Sequence, residues 1–195
     1  MFILIKNFSF FDNIHFSCLN LYYNGYSDRG RGSDADVCDA LYEWLEQDLK
    51  NTNKPIKLVF GHEPAFPQPD KDCGRIRHVG ACLDEYPDHR DRFWELLKNQ
   101  GVMAYICGHT HGHSAIKVDD VCQIDDGESQ GKNDLGAPST FMIIEATNSQ
   151  VYFNVYRDIH DGVYDYDDII YQWQAEIGID MTSPFPPMNI RINSL

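Results

Sequence analysis

The sequence has no apolar run approaching the roughly 18 residues that a membrane-spanning helix needs. It holds six cysteines but no Cys-x-x-Cys pair and no zinc-ribbon spacing. It lacks a Gly-x-Gly-x-x-Gly phosphate loop, since Gly30-Arg31-Gly32 is not completed, and it shows no internal repeat or low-complexity segment. Positive charge is scarce, with 16 Lys and Arg against 30 Asp and Glu and a formal charge of −14. A surface of that sign repels a phosphate backbone, which argues against a nucleic-acid scaffold. The opening Met1-Phe2-Ile3-Leu4-Ile5 is too short for a signal-peptide core and lacks a basic flank, so the N-terminus says nothing of the compartment.

What is present suits a packed domain. The chain has 195 residues, 43% of them hydrophobic and 13% aromatic, with Trp44, Trp94 and Trp173 spread along it. That is enough to bury one core and argues against disorder. Cys18 and Cys107 fall in apolar, strand-like runs and read as buried free thiols. Cys73 and Cys82 bracket a loop that a disulfide would clasp in an oxidising compartment, although spacing alone does not assign one.

Residues 14–22 alternate and then run apolar, as a half-buried strand does. After a polar, Gly-rich loop, Ser33 and Asp36 resemble a capping box. Val37, Leu41, Trp44, Leu45 and Leu49 then recur at helical spacing, predicting a helix over 34–50. A short strand follows at 56–60. Asp88 and Asp91 start a second helix carrying Phe93, Trp94, Leu96 and Leu97, with Gly101 at its C-terminal stop. Val102 to Cys107 is another strand, so this half reads as an α/β unit with right-handed crossovers. Beyond Gly112 the texture is strand-like at 114–118, 121–124, 140–146 and 150–157. Thr147-Asn148-Ser149 is a hairpin signal, and an antiparallel sheet is expected there. From Asp158 the chain is acidic and Tyr-rich, then Pro-rich at Pro184, Pro186 and Pro187, which predicts a loosely packed edge or tail.

Both α/β strands end in the same dipeptide, Gly61-His62 and Gly108-His109, the second extended to Gly108-His109-Thr110-His111. Ligands of open α/β sheets bind just beyond the carboxyl ends of strands. Two imidazoles placed there share one rim, and in an extended segment His109 and His111 point to the same side. Neutral imidazole is a common ligand for zinc, iron and manganese. A lone histidine after a strand is usually a loop residue bonded to a backbone carbonyl. Two Gly-His strand ends favour metal ligation.

Gly61-His62-Glu63-Pro64, followed about 45 residues later by Gly108-His109-Thr110-His111, resembles the last two motifs of the calcineurin-like metallophosphoesterases. Supporting similarity runs from the strand at 14–22 through Val121-Cys122-Gln123-Ile124-Asp125-Asp126-Gly127 and the following hairpin. The resemblance implies an α/β fold, part of a β-sandwich flanked by helices in α-β-β-α layers. It implies hydrolysis of phosphomonoesters or phosphodiesters with two divalent or trivalent ions (Mn, Fe or Zn). His62 and His109 would hold one ion and His111 the other.

The family's earlier motifs, an Asp-x-His, a Gly-Asp-x-x-Asp and a Gly-Asn-His, which would precede the strand at 14–22, are read as missing from the chain. They supply the bridging carboxylate, an asparagine ligand and the histidine that protonates the leaving group. Two ions about 3.5–4 Å apart need anionic bridges, which three neutral histidines do not provide. The expectation is therefore a chain that starts in mid-domain, truncated at its N-terminus, with the catalytic residues upstream. Residues 1–170 would be the C-terminal portion of the phosphoesterase domain and 171–195 a Pro-containing tail. Alone, the chain would bind at most one ion weakly, turn over no substrate, and self-associate through an exposed sheet edge. The alternatives are a non-catalytic metal-binding or partner-binding module on that fold, and a structural domain with no metal.

Other residues carry weaker signals. Arg75, Arg77 and His78 form a basic cluster between the two motifs; Arg77 and His78 would suit a substrate phosphate, or the loop is simply solvated. Arg29 and Arg31 read as surface pairs. His113 reads as lying outside the ligand set, and His15, His89 and His160 show no partner pattern. Asp161-Gly162 with Asp165, Asp167 and Asp168 is acidic but lacks the alternating ligands of an EF-hand. Asn7-Phe8-Ser9 is a glycosylation acceptor only in a secreted eukaryotic context. His62-Glu63 belongs to neither a deaminase nor a zincin signature.

Overall fold

A computed structural model describes residues 3–5, 13–26, 35–129, 138–146, 150–158 and 171–176. Their regular elements, in chain order, are β1 (Ile3–Ile5), β2 (Ile14–Cys18), α1 (Asp39–Lys50), β3 (Ile56–Phe60), α2 (Pro87–Asn99), β4 (Ala104–Cys107), β5 (His113–Val118), β6 (Val121–Asp126), β7 (Ser139–Ala146), β8 (Gln150–Asp158) and β9 (Tyr171–Glu176). They fall into two compact units, one of residues 11–127 and one of residues 1–10 with 128–195.

The first unit is mixed α/β. Its sheet has the order β2-β3-β4-β6-β5, in which β2, β3, β4 and β6 run parallel and β5 lies antiparallel at the edge. Leu41, Leu45 and Leu49 of α1 recur four residues apart and form one buried stripe. Phe93, Trp94, Leu96 and Leu97 of α2 are buried likewise. Both stripes share a core with Val59 of β3 and Tyr105 and Cys107 of β4. The second helix opens with Pro87 at its first position, where a missing N–H costs nothing. It closes as the sequence predicts. Gly101 takes a φ of 66°, its N–H donates to Lys98 O at 3.1 Å and that of Val102 to Leu97 O at 2.9 Å. This crossed pair is a Schellman stop.

Several sequence expectations need correction. The first helix starts at Asp39 rather than at 34, and Cys38 at its N-cap makes no side-chain capping bond. Asp36 instead accepts from His89 Nδ1, its two oxygens at 2.9 and 3.0 Å, while Ser33 lies outside the described residues. Trp44 is 48% exposed, because a position three residues after Leu41 falls on the flank of an i, i+4 stripe. Cys18 is exposed, whereas Cys107 is buried; Cys73 and Cys82 are free thiols. The largest difference concerns β5 and β6. They form the antiparallel hairpin, turning at Asp119-Asp120, but β6 pairs in parallel with β4 and so joins the first sheet. All six residues of β6 are buried, as suits a strand covered on both faces.

The second unit is a sheet of order β1-β7-β8-β9. The antiparallel pairing expected after 139 is present in β7 and β8, β1 adds to β7 in parallel, and β9, in the stretch read from sequence as a tail, pairs antiparallel with β8. Residues 147–149 and 177–195, the sequon at 7–9, Arg29 and Arg31, His160 and the acidic run at 161–168 lie outside the described residues. Among the described residues no helix is long and apolar enough to cross a membrane.

Candidate metal centre

The two Gly-His strand ends are joined by the backbone. Gly61 N–H donates to Ile106 O at 3.0 Å and Gly108 N–H to His62 O at 2.9 Å, so the pairing of β3 with β4 continues past both strands. A side chain at 61 would overlap the Tyr105 hydroxyl, which itself donates to the Glu63 carbonyl at 2.6 Å. Glycine is therefore required for this close approach. The result brings His62 Nε2 within 3.2 Å of His109 Nδ1. Two nitrogens that each bind one ion at about 2.1 Å stand about 3.0–3.4 Å apart at ordinary coordination angles. The pair fits one ion. Without an ion, the same spacing is met by one ring donating to the other.

His109 and His111 do not converge by strand alternation. Both take left-handed backbone, with φ of 72° and 59°, and Thr110 between them is buried, its Oγ1 donating to Asp125 Oδ2 at 2.5 Å. His111 Nδ1 faces Arg77 Nη1 at 3.0 Å. Arginine only donates, which puts the His111 proton on Nε2. Ligation by His111 would thus require a change at one of its nitrogens.

The loop between β3 and α2 supplies the rest. Gln123, buried on β6, accepts from Ala65 and Phe66 N–H at 2.8 and 2.9 Å and donates to Phe66 O at 2.8 Å. Asp70 accepts from the backbone of Asp72 and Cys73, each at 3.0 Å, and of His113 at 2.8 Å. So anchored, the loop carries Arg77 to His111 and sets the His78 ring 4.4 Å from that of His109 and 6.4 Å from that of His111. His78 shares the left-handed backbone, with φ of 59°. Cys82 is buried and its Sγ–H donates to His78 O at 3.2 Å. Glu63, fully buried, accepts from the Tyr22 hydroxyl at 2.9 Å.

Burial disfavours the charged forms of His62, His78 and His109. Burial, then the charges of His62, His78 and His111, push His109 down to about 4. Burial also lowers His62, with His111 adding to it, and lowers His78, with Arg77 next. Neutral rings have lone pairs to offer a metal. Behind Thr110, burial raises Asp125 to about 8 and Asp126 to about 7. Burial raises Cys82 as well, followed by the Glu63 charge.

Of the residues singled out in the sequence, His62 and His109 meet, while Arg77, His78 and His111 crowd the same rim. His113 is buried with its Nδ1 2.7 Å from Asp125 O. His15 and His89 do have partners, Asp48 at 2.7 Å and Asp36 at 2.9 Å. Glu63, Cys82, Tyr22 and Gln123 were not read as site residues. Glu63 stands inside the Gly-His motif, but nothing in their spacing links the other three to it. An Asp-x-His triplet does occur, as Asp158-Ile159-His160, after β7 rather than ahead of the first sheet.

No protein-family profile matches the chain, and no curated protein does. Solved structures do. The structure described as GAP50, the anchor in the inner membrane complex of Plasmodium, superposes with a TM-score of 0.55 at 15% identity, over 91% of this chain and 49% of that one. This likeness is one of fold alone, and the chain spans about half the length of that structure. A conserved uncharacterised protein of Streptococcus pneumoniae TIGR4, a predicted phosphoesterase, gives a TM-score of 0.31 at 12% identity, over 78% and 92% of the two chains. Vps29 of Entamoeba histolytica gives 0.29 at 10% identity, over 93% and 98%.

Proposed function

We propose that the chain carries the C-terminal part of a calcineurin-like phosphoesterase site, within a helix-flanked β-sandwich, and serves metal-dependent hydrolysis of phosphate esters. The observation that carries this reading is the His62–His109 pair, 3.2 Å apart at two parallel strand ends tied by a backbone bond. In it His62 and His109 hold one ion and His111 turns toward a second. When bound, such ions supply Lewis acidity toward a phosphoryl oxygen and an activated water. The chain's own contribution is orientation. Arg77 offers a fixed cation for phosphate oxygens, with His78 beside it as a hydrogen-bonding partner.

A second reading, a non-catalytic module on the same fold, has its own support. Among the described residues, one group of three or more donors lies within 4.8 Å, and it includes His109 but neither His62 nor His111. A neighbour of the same fold is described as an anchor.

Metal analysis and turnover separate these readings. On the first, the purified chain takes up zinc or manganese, and His62→Ala weakens uptake roughly tenfold or more, the scale of losing an oriented ligand. With only half the ligands it hydrolyses neither aryl phosphate monoesters nor diesters. Uptake unchanged by His62→Ala would remove the first reading. Turnover abolished by that substitution would remove the second, and would also overturn the expectation that the chain alone is inactive.

A further inference from the structure

His109 turns a different nitrogen to each side of the site. Its Nδ1 meets His62 on the rim, 3.2 Å away. Its Nε2 looks inward and lies 3.9 Å from Glu63 Oε1. Cys82 stands on the same inner side, so that one donor atom each from Glu63, Cys82 and His109 lie within 4.8 Å of one another. We propose that these three residues form a second, inner cation site that takes a zinc-like divalent ion through a carboxylate, a thiolate and an imidazole.

The donor set argues for the ion. Zinc binds sulfur at about 2.3 Å and nitrogen or oxygen at about 2.0–2.2 Å, so its donors stand roughly 3.3–3.7 Å apart in a tetrahedron. Three donors within 4.8 Å need only small side-chain rotations to close on it. Manganese and magnesium prefer six oxygen-rich ligands, and a thiolate in so small a set selects against them. Burial argues for a cation at all. Glu63 and Cys82 are 0% and 1% exposed, and a carboxylate and a thiolate brought together in such a place are stabilised by a positive charge between them. Both side chains are already held, Glu63 by the Tyr22 hydroxyl at 2.9 Å and Cys82 by the His78 carbonyl at 3.2 Å.

The binding step is balanced. The Cys82 thiol loses its proton to solvent, its bond to the His78 carbonyl breaks, and a sulfur–metal bond forms. His109 uses Nε2 as its lone-pair nitrogen, and neither His62 nor His111 is needed. The inner site needs neither of those two as a ligand, but with a neutral His109 an ion on Nε2 excludes one on Nδ1, and both sites fill together only if His109 also loses its ring proton to solvent and bridges as an imidazolate.

Cobalt(II) added to the intact chain tests this. The expected result is thiolate-to-metal charge transfer in the near ultraviolet, kept in His62→Ala even where total metal uptake falls, and lost in Cys82→Ala. Glu63→Gln should weaken binding roughly tenfold or more. If Cys82→Ala does not fold, Cys82→Ser of nearly equal volume takes its place, and X-ray absorption of the zinc-loaded wild type should find one sulfur ligand. Cobalt bound without thiolate charge transfer, and sensitive to His62→Ala, would leave the rim pair standing and overturn the inner site. Charge transfer that survives removal of Cys82, or no bound cobalt at all, would overturn it too.

Discussion

Gln123 is a neutral side chain on a fully buried strand, yet three backbone groups of the loop after Glu63 depend on it. Replacing it by leucine keeps the volume and strands the N–H groups of Ala65 and Phe66. We expect a loss of about 1–3 kcal/mol in urea unfolding, together with weaker metal uptake as the loop loosens. Unchanged stability would mean that water or another side chain takes over both donors. Gly61 fails in the opposite way. Gly61→Ala forces a methyl group against the Tyr105 hydroxyl, and overpacking of this kind costs about 1–3 kcal/mol. Because the strain acts on the junction of β3 with His62, the His62–His109 spacing should suffer with it. The paired readout is the cobalt spectrum of the variant beside its unfolding midpoint.

The helices behave more simply, since each offers one apolar stripe. Leu45 is fully buried at the middle of the α1 stripe, and Leu45→Ala should cost about 2–5 kcal/mol. Trp44→Ala, half exposed beside it, should cost much less, and a reversal of that order in denaturant unfolding would contradict the packing described. These elements were legible in the sequence because a helical stripe, a glycine stop and a Gly-His strand end are local signals. The start of α1 was not, because Asp36 bonds to His89 rather than to its own helix. Nor was the place of β6, which is fixed by its parallel pairing with the distant β4 as well as by its hairpin with β5. The candidate site divides along the same line. His62, His109 and His111 announce themselves in short motifs, whereas Cys82 and His78 are set in place by a loop shaped by Gln123 and Asp70, and Tyr22 comes from the segment after β2.

Across the whole molecule the buried titratable groups set the dependence of stability on pH. For His109 the folded value of about 4 lies below the ordinary 6.5, so the unfolded chain holds more protons between them and stability rises with pH there. Asp125 and Asp126 act oppositely. Their folded values of about 8 and about 7 lie above the ordinary 3.8, so the folded chain holds the extra protons and stability falls as pH rises. The two trends oppose each other up to about pH 6.5, and above it the aspartates act alone. Metal-free protein should therefore lose stability between pH 6.5 and 8, by about 1 kcal/mol per pH unit for each group still titrating. Asp125→Asn should flatten that limb, and urea midpoints at the two pH values provide the check.

His78, His109 and His111 all hold left-handed backbone, where histidine is tolerated but glycine or asparagine would be more comfortable. Each such position carries about 1 kcal/mol or more of conformational strain, which a lineage retains only while the imidazole is useful. In descendants freed from metal chemistry, these three positions should be among the first to drift, and toward glycine or asparagine. Sequenced relatives that keep all three histidines while the surrounding loop varies would testify to a working site, and relaxed backbones at the same places would record its loss.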